Sequence, residues 1–500
     1  MSFVDNLALG FQVAVSIENL LACFVGCVLG TLIGVLPGLG PLAALALLLP
    51  FTFTMEPTGA LIMLAGIYYG AQYGGSTTAI LVNLPGEPSS AITVVDGYKM
   101  AKAGKGGIAL SAAAIGSFFA GCMGTLFLAA FAVPISTLAL KVGPADYFSL
   151  MLLGLVGSVA LGSGSLLKAV GLTIVGILLG LVGSDVNSGV LRFGFNRLEL
   201  ADGLSFLCIA TGLFGISEIV TNLERPEEDR KLISKAGRIW PDWSYLKRMV
   251  APILRGTGTG LVLGPLPGIG SMVAAFAAYS VEKKFSRHAA ELGTGAVEGV
   301  AAPEAANNAA AQANFIPLLS LGIPGGASTA LLLGAMIVHD IQPGPLVITK
   351  HPDLFWGLIV SMWVGNAMLL ILNLPLVGIW VSFLRLPYFA IFSAIVAFCC
   401  VGVYAVNFAP TDIIQMAGFG LLGYLLVKID LPLVPLVMGF VLGPLVEENF
   451  RRALILSQGD LQVFLERPIS LCALTLTLAL LAGSSILRRR GKLRNLQPQE

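Results

Sequence analysis

Hydrophobic and polar positions in this chain fall into long blocks, without the short alternation of a soluble fold. Apolar runs lie near 15–36, 39–54, 59–82, 108–136, 147–162, 166–183, 203–221, 252–280, 294–320, 326–338, 354–384, 386–407, 411–428, 431–446 and 469–487. A helix needs about 20 apolar residues to cross a bilayer. Some of these runs are too short, and others are interrupted by Pro and Gly. The pattern predicts an all-α polytopic membrane protein with about ten to twelve transmembrane helices, accompanied by broken or re-entrant pieces. No Lys or Arg precedes Lys99, so the opening apolar stretch reads as a retained helix and not as a signal peptide with a basic start.

One polar segment stands apart, residues 222–250. It carries Arg225, Arg230, Lys231, Lys235, Arg238, Lys247 and Arg248 against five acids, and the positive-inside rule predicts that it is cytoplasmic. The basic tail with Arg488, Arg489, Arg490, Lys492 and Arg494 is expected on the same side. Asp96, Asp185 and Asp340 fall at predicted membrane interfaces.

The chain also repeats itself. Gly26, Gly30 and Gly34 lead into Leu36-Pro37-Gly38-Leu39-Gly40, and 230 residues on Gly256, Gly260 and Gly264 lead into Leu266-Pro267-Gly268-Ile269-Gly270. A second pair follows in the same order: Asn83-Leu84-Pro85-Gly86 before Ser89-Ser90, and Gly322-Ile323-Pro324-Gly325 before Ser328-Thr329. Ordered matches at similar offsets indicate two homologous halves. Glu56 and no cation follow the first hairpin motif, whereas Lys283, Lys284 and Arg287 follow the second. Downstream, Lys99, Lys102 and Lys105 in the first half correspond to Asp340, Lys350 and Asp353 in the second. Equivalent loops thus carry opposite orientation signals, as two inverted-topology repeats would. The expected organisation is 1–221 as first repeat, 222–250 as cytoplasmic linker, 251–450 as second repeat, and 451–500 as C-terminal helix and tail.

Composition sharpens this reading. Of 500 residues 56% are hydrophobic and 11% charged, and mean hydropathy is +0.87; a soluble domain carries about 25% charged residues. The net charge of +1 argues against nucleic acid as a partner. The seven cysteines lie in apolar runs with no Cys-x-x-Cys, and the three histidines are scattered, so neither set predicts a metal site.

A Pro-Gly pair within an apolar run frees backbone groups, which in lipid is tolerable only where they are buried or line a wet cavity. Paired breaks in two halves are the best sequence pointer to a transporter's binding site. A half-helix N-terminus suits a carboxylate, and loosened carbonyls suit a small cation. Four segments meet this description: Leu36 to Pro41, Asn83 to Ser90, Leu266 to Ser271 and Gly322 to Thr329. The glycines Gly26, Gly30, Gly256 and Gly260 are read instead as helix-packing positions. Two polar clusters accompany the breaks, Tyr68 to Thr78 and Pro303-Glu304-Ala305-Ala306-Asn307-Asn308; an ionisable group such as Glu304 inside a span marks a functional site by default. No phosphate-binding Gly-x-x-x-x-Gly-Lys-Ser/Thr, no Gly-x-Ser-x-Gly and no His-Glu-x-x-His occurs, so neither an ATP-driven pump nor an enzyme is expected.

The runs GTLIGVLPGLGPLAALALLLP (30–50), YYGAQYGGSTTAILVNLPGEPSSAITVVDGYKMAKAG (68–104), EGVAAPEAANNAA (298–310), LLSLGIPGGASTALLLGA (318–335), QPGP (342–345) and FVLGPLVEENFRRAL (440–454) together resemble the large membrane subunit of tripartite tricarboxylate transporters, the TctA family. The chain departs from the family pattern at Ala311-Gln312-Ala313-Asn314, Lys99 and Asp340. The resemblance implies a multi-pass subunit of the bacterial inner membrane. A small four-helix membrane subunit and a periplasmic solute-binding protein would accompany it, and carboxylate uptake would be coupled to sodium or protons, with no other cofactor. On this reading helix ends and glycines at Pro37, Gly38, Gly40, Pro85, Gly86, Pro267, Gly268, Gly270, Pro324 and Gly325 face the substrate. Ser76, Asn83, Ser89, Asn307, Asn308 and Ser328 supply hydrogen bonds, and Glu304 helps to hold the coupling cation. The alternative is a stand-alone carboxylate carrier or channel with no periplasmic partner.

Overall fold

The computed structural model describes residues 3–36, 39–139, 141–161, 165–185, 188–195, 200–224, 237–266, 270–383 and 388–494. The protein is an all-α polytopic membrane protein. Its first half consists of α1 (Phe3–Ala14), α2 (Ile17–Gly34), α3 (Pro41–Thr52), α4 (Pro57–Val82), α5 (Thr93–Lys102), α6 (Gly106–Ala139), α7 (Pro144–Leu161), α8 (Leu166–Gly180), α9 (Phe206–Ala210) and α10 (Ser217–Leu223). A two-stranded hairpin, β1 (Gly183–Ser184) with β2 (Leu191–Arg192), interrupts it after α8, and a π-helical turn, Thr211–Ile216, joins α9 to α10. The second half consists of α11 (Trp243–Leu263), α12 (Gly270–Phe285), α13 (Glu298–Ala313), α14 (Phe315–Leu321), α15 (Ala327–Val338), α16 (Leu346–Lys350), α17 (Pro352–Asn373), α18 (Val377–Phe383), α19 (Tyr388–Asn407), α20 (Pro410–Lys428), α21 (Leu433–Leu456), α22 (Val463–Glu466) and α23 (Pro468–Arg494).

Six continuous helices among the described residues are long and apolar enough to cross a membrane: Ile17–Gly34, Gly106–Leu138, Phe206–Leu223, Pro352–Asn373, Pro410–Lys428 and Leu433–Leu456. Other apolar helices, α3, α8 and α15 among them, are shorter. The apolar run at 252–280 consists of two helices, α11 ending at Leu263 and α12 beginning at Gly270, in keeping with the break expected at Leu266 to Ser271. Linker residues Arg225, Arg230, Lys231 and Lys235 lie outside the described residues.

Two helices that are poor candidates for lipid exposure form the core. Every residue of α4 from Gly59 to Val82 is buried, as is every residue of α13. Tyr, Gln, Ser, Glu and Asn side chains in these helices find partners or cavities within protein, which lipid cannot supply. A glycine row seals each of them to a hairpin. Extra Cβ atoms on Gly26, Gly30 and Gly34 of α2 would sit 2.3, 2.4 and 2.3 Å from the carbonyl oxygens of Met63, Ile67 and Ala71 in α4. Those on Gly256 and Gly260 of α11 would sit 2.2 and 2.4 Å from the carbonyl oxygens of Ala302 and Ala306 in α13, and one on Gly264 would sit 2.7 Å from that of Ala310. The backbones touch directly, as small residues at helix crossings permit.

In each assembly the first hairpin helix and its core helix start at the same end. In the first, α4 begins beside the start of α2, with Gly59 packed on Asn19, and the short link from Thr52 to Pro57 brings α3 back to that same end. In the second, Arg255 of α11 clasps Glu282 of α12 at 2.7 Å and Arg248 of α11 clasps Glu298 at 2.7 Å, so α12 folds back along α11 and α13 starts at their shared base. That base meets the far end of α4: Asp96 of α5 accepts hydrogen bonds from the backbone N–H groups of Gly293, Gly295 and Ala296, and Lys99 reaches the Gly293 carbonyl. At the opposite end, Asp185 and Glu447 pair with Arg192 and Arg451 at 2.6–3.1 Å, and Asp146 with Arg467 at 2.7 Å.

Candidate functional site

Both core helices end in the same way. The last turn of α4 is closed by Asn83 in the left-handed region (φ 64°, ψ 21°), and α14, which continues α13, by Gly322 (φ 69°, ψ 25°). A left-handed cap turns the chain out of the helix, and the proline two residues later prevents its resumption. After the first break Gly86 lies so close to α4 that an added Cβ would stand 2.4 Å from the Gly75 Cα and 2.8 Å from the Gly34 carbonyl oxygen. Asn314 fills the corresponding space at the second break, 2.2 Å from where a Gly325 Cβ would be.

These breaks open on one cavity of about 550 Å³, within the 300–1,000 Å³ typical of small-molecule sites. Its wall contains the first turns of three helices: Gly40, Pro41, Leu42 and Ala43 of α3, Gly270, Ser271 and Met272 of α12, and Ala327 and Ser328 of α15. Pro85, Gly86, Glu87, Pro88 and Ser89 of the first break line it, as do Tyr68 and Gln72 of α4, with Phe214, Glu218 and Val434 completing the wall. A helix's first N–H groups lack intrahelical partners and carry the positive end of its dipole. No Lys, Arg or His is among the lining residues described, so the positive character they offer comes from the main chain.

A buried hydrogen-bond web joins the cavity to the core. Glu304, fully buried in α13, accepts from Ser76 and Thr93 hydroxyls at 2.6 Å each. Asn307 donates through Nδ2 to Oε1 of Glu87 at 2.8 Å, and the Ser89 hydroxyl donates to the same oxygen. Asn308 donates to Ser117 Oγ at 2.7 Å and to the Glu304 carbonyl at 3.1 Å. Neither carboxylate has a cationic partner among the described residues. Both amide atoms of Gln72 and the Oδ1 atoms of Asn307 and Asn314 are buried without a hydrogen bond.

Of the residues singled out from sequence, Gly40, Pro85, Gly86, Ser89, Gly270 and Ser328 line the cavity. Ser76, Asn307, Asn308 and Glu304 belong to the web behind it. Asn83 is an exposed helix cap, and Pro324 and Gly325 are buried at the second break without lining the cavity. Pro37, Gly38, Pro267 and Gly268 lie outside the described residues. Sequence reasoning missed Glu87, Gln72, Thr93 and Ser271 as individual site residues. Gln72 was signalled by its place in the polar 68–78 run; Glu87 sits in a loop, where a charge carries no such signal. A second cavity of about 350 Å³ reaches the second break from another side, lined by Leu321, Gly322, Gln342, Pro343 and the α21 residues Glu448, Asn449 and Arg452.

The chain matches the family described as Tripartite tricarboxylate transporter TctA family over residues 20–438. It is 53% identical over 480 residues to an uncharacterized 52.8 kDa protein in the TAR-I ttuC' 3'region of Agrobacterium vitis, covering 96% of this chain and 95% of that protein. Over 225 residues it is 54% identical to an uncharacterized protein in the TAR-II ttuC' 3'region of the same organism, covering 45% of this chain and 93% of the relative. No solved structure matches it.

Proposed function

The chain belongs to the tripartite tricarboxylate transporter TctA family, and from that premise we propose that it is the substrate-translocating subunit of a binding-protein-dependent secondary carrier for tricarboxylates or related carboxylates. The observation that carries this reading is the convergence of the α3, α12 and α15 N-termini on one cavity with no basic side chain among its described lining residues. Helix ends of this kind take carboxylate groups, and they occur at the discontinuous helices where transporters hold their cargo. Ser271 and Ser328 add hydroxyl donors on the cavity wall. The contact of Gly293, Gly295 and Ala296, before α13, with Asp96, after α4, supports two inverted-topology repeats, with substrate bound between them and access alternating as one moves against the other.

The working unit would include a small four-helix membrane subunit and a periplasmic solute-binding protein in a bacterial inner membrane, with transport coupled to sodium or protons. Uptake into proteoliposomes tests this. Labelled di- and tricarboxylates are offered under imposed sodium or proton gradients, with and without the binding protein and without ATP. Accumulation that needs both a gradient and the binding protein is the expected result. Accumulation without the binding protein would replace it with a stand-alone carrier, and no accumulation of any carboxylate by the assembled complex would overturn the cargo.

A further inference from the structure

We propose that the Glu87 carboxylate and the amide oxygens of Gln72 and Asn307 form a site for a sodium-sized monovalent cation at the edge of the cavity, and that this cation admits a substrate carboxylate beside Glu87. The second clause rests on the carboxylate reading above; the first does not.

Glu87 is only 6% exposed, and both of its side-chain hydrogen bonds, from Asn307 and Ser89, fall on Oε1. Its Oε2 has none among the described residues, on a side chain that lines the cavity. Among the described residues, the titratable groups around it are Glu304, beside the same Asn307, with Glu218 and Tyr68 on the cavity wall; none of these brings positive charge. A buried carboxylate in such surroundings carries a large desolvation cost unless something compensates it.

The neighbouring amides point to what compensates it. Gln72 is 1% exposed and lines the cavity, yet neither atom of its amide makes a hydrogen bond, although the Tyr68 hydroxyl is close by. Asn307 donates its Nδ2 to Glu87, and its Oδ1 is buried and unbonded. Buried polar groups without partners are rare and call for a missing ion or water. Hard cations take carboxylate and amide oxygens as ligands, and one positive charge balances the one uncompensated carboxylate oxygen. A proton on Oε2 would leave both amide oxygens orphaned. With Glu87 uncompensated, an incoming carboxylate meets repulsion at the place where three helix ends attract it. A cation there removes the repulsion, so cation and substrate each raise the affinity of the other.

The test reads the thermal unfolding midpoint of the full-length protein in lipid-supplemented detergent, as sodium chloride replaces choline chloride at constant ionic strength and pH. The wild-type midpoint is expected to rise and saturate. Glu87→Gln keeps the shape of the side chain and should show no response, and Gln72→Leu should need on the order of tenfold more sodium. A flat wild-type curve, or a Glu87→Gln curve like the wild type's, overturns the site; so does a midpoint that follows pH and ignores sodium. Equilibrium binding of labelled citrate and other di- and tricarboxylates then tests the linkage. Binding should require sodium in the wild type and not in Glu87→Gln. Sodium-independent wild-type binding overturns the linkage. A sodium response with no carboxylate bound by either protein overturns the carboxylate reading and leaves the cation site standing.

Discussion

At the scale of single residues, two buried polar groups of similar appearance have different roles. Asn307 bonds the Glu87 carboxylate, while Asn308 bonds the Ser117 hydroxyl and the Glu304 backbone carbonyl; a hydrogen bond to a charged group contributes about 1.5–3 kcal/mol and a neutral one about 0.5–1.5 kcal/mol. Replacing both with Ala is expected to lower uptake by roughly 10- to 100-fold while the protein still assembles, as gel filtration and labelled-carboxylate uptake would show together. Near-normal uptake would remove the pair from the site. Asp96 is fully buried and accepts from three backbone N–H groups and the Tyr279 hydroxyl. Asp96→Ala strands those donors at about 1–3 kcal/mol each, so its unfolding midpoint should fall sharply while uptake per folded molecule is kept. The sequence places Asp96 at an interface, and its burial comes from a loop 200 residues away that no local pattern announces. Glu304 was legible because a charge inside an apolar run is anomalous. Glu87 was not, because its burial exists only once α4 and α13 have come together.

At the scale of elements, the glycine rows decide how closely each hairpin meets its core helix. Gly30→Ala and Gly260→Ala each put a Cβ 2.4 Å from a carbonyl oxygen of the facing helix, and overpacking of this kind costs about 1–3 kcal/mol. Gly258→Ala, on the same helix as Gly260 but with nothing within 4 Å, is the control and should cost nothing. Thermal unfolding in detergent separates the two classes; equal losses at all three positions would disprove the contact. Fourfold glycine spacing and paired Pro-Gly breaks made these elements readable. The left-handed caps at Asn83 and Gly322 were not, since in the first of them nothing but asparagine's tolerance of positive φ marks the turn.

At the scale of the whole molecule, the proposed inverted repeats imply opposed exposure. Position 54 follows α3, position 285 closes α12, and both are exposed. Single cysteines there, in a background without the native seven, should react with an impermeant maleimide from opposite sides of the membrane. Labelling from one side would end the inverted-repeat reading. The linker 222–250 and the internal repeat are readings from composition and recurrence, which the labelling would test. A meeting of helix ends was expected from the paired breaks; which lining residues surround them depends on how the breaks are brought together in space.

On the carboxylate reading, the cavity's attraction for anions is written in peptide groups, with no cationic side chain on its wall among the described residues. No codon for a basic residue maintains it, and no single substitution of one can erase it. On the carboxylate reading, a lineage can therefore exchange the serines and apolar side chains around the cargo one by one and keep a taste for anions throughout. Selectivity among acids is free to drift, while selectivity for acids is inherited with the backbone.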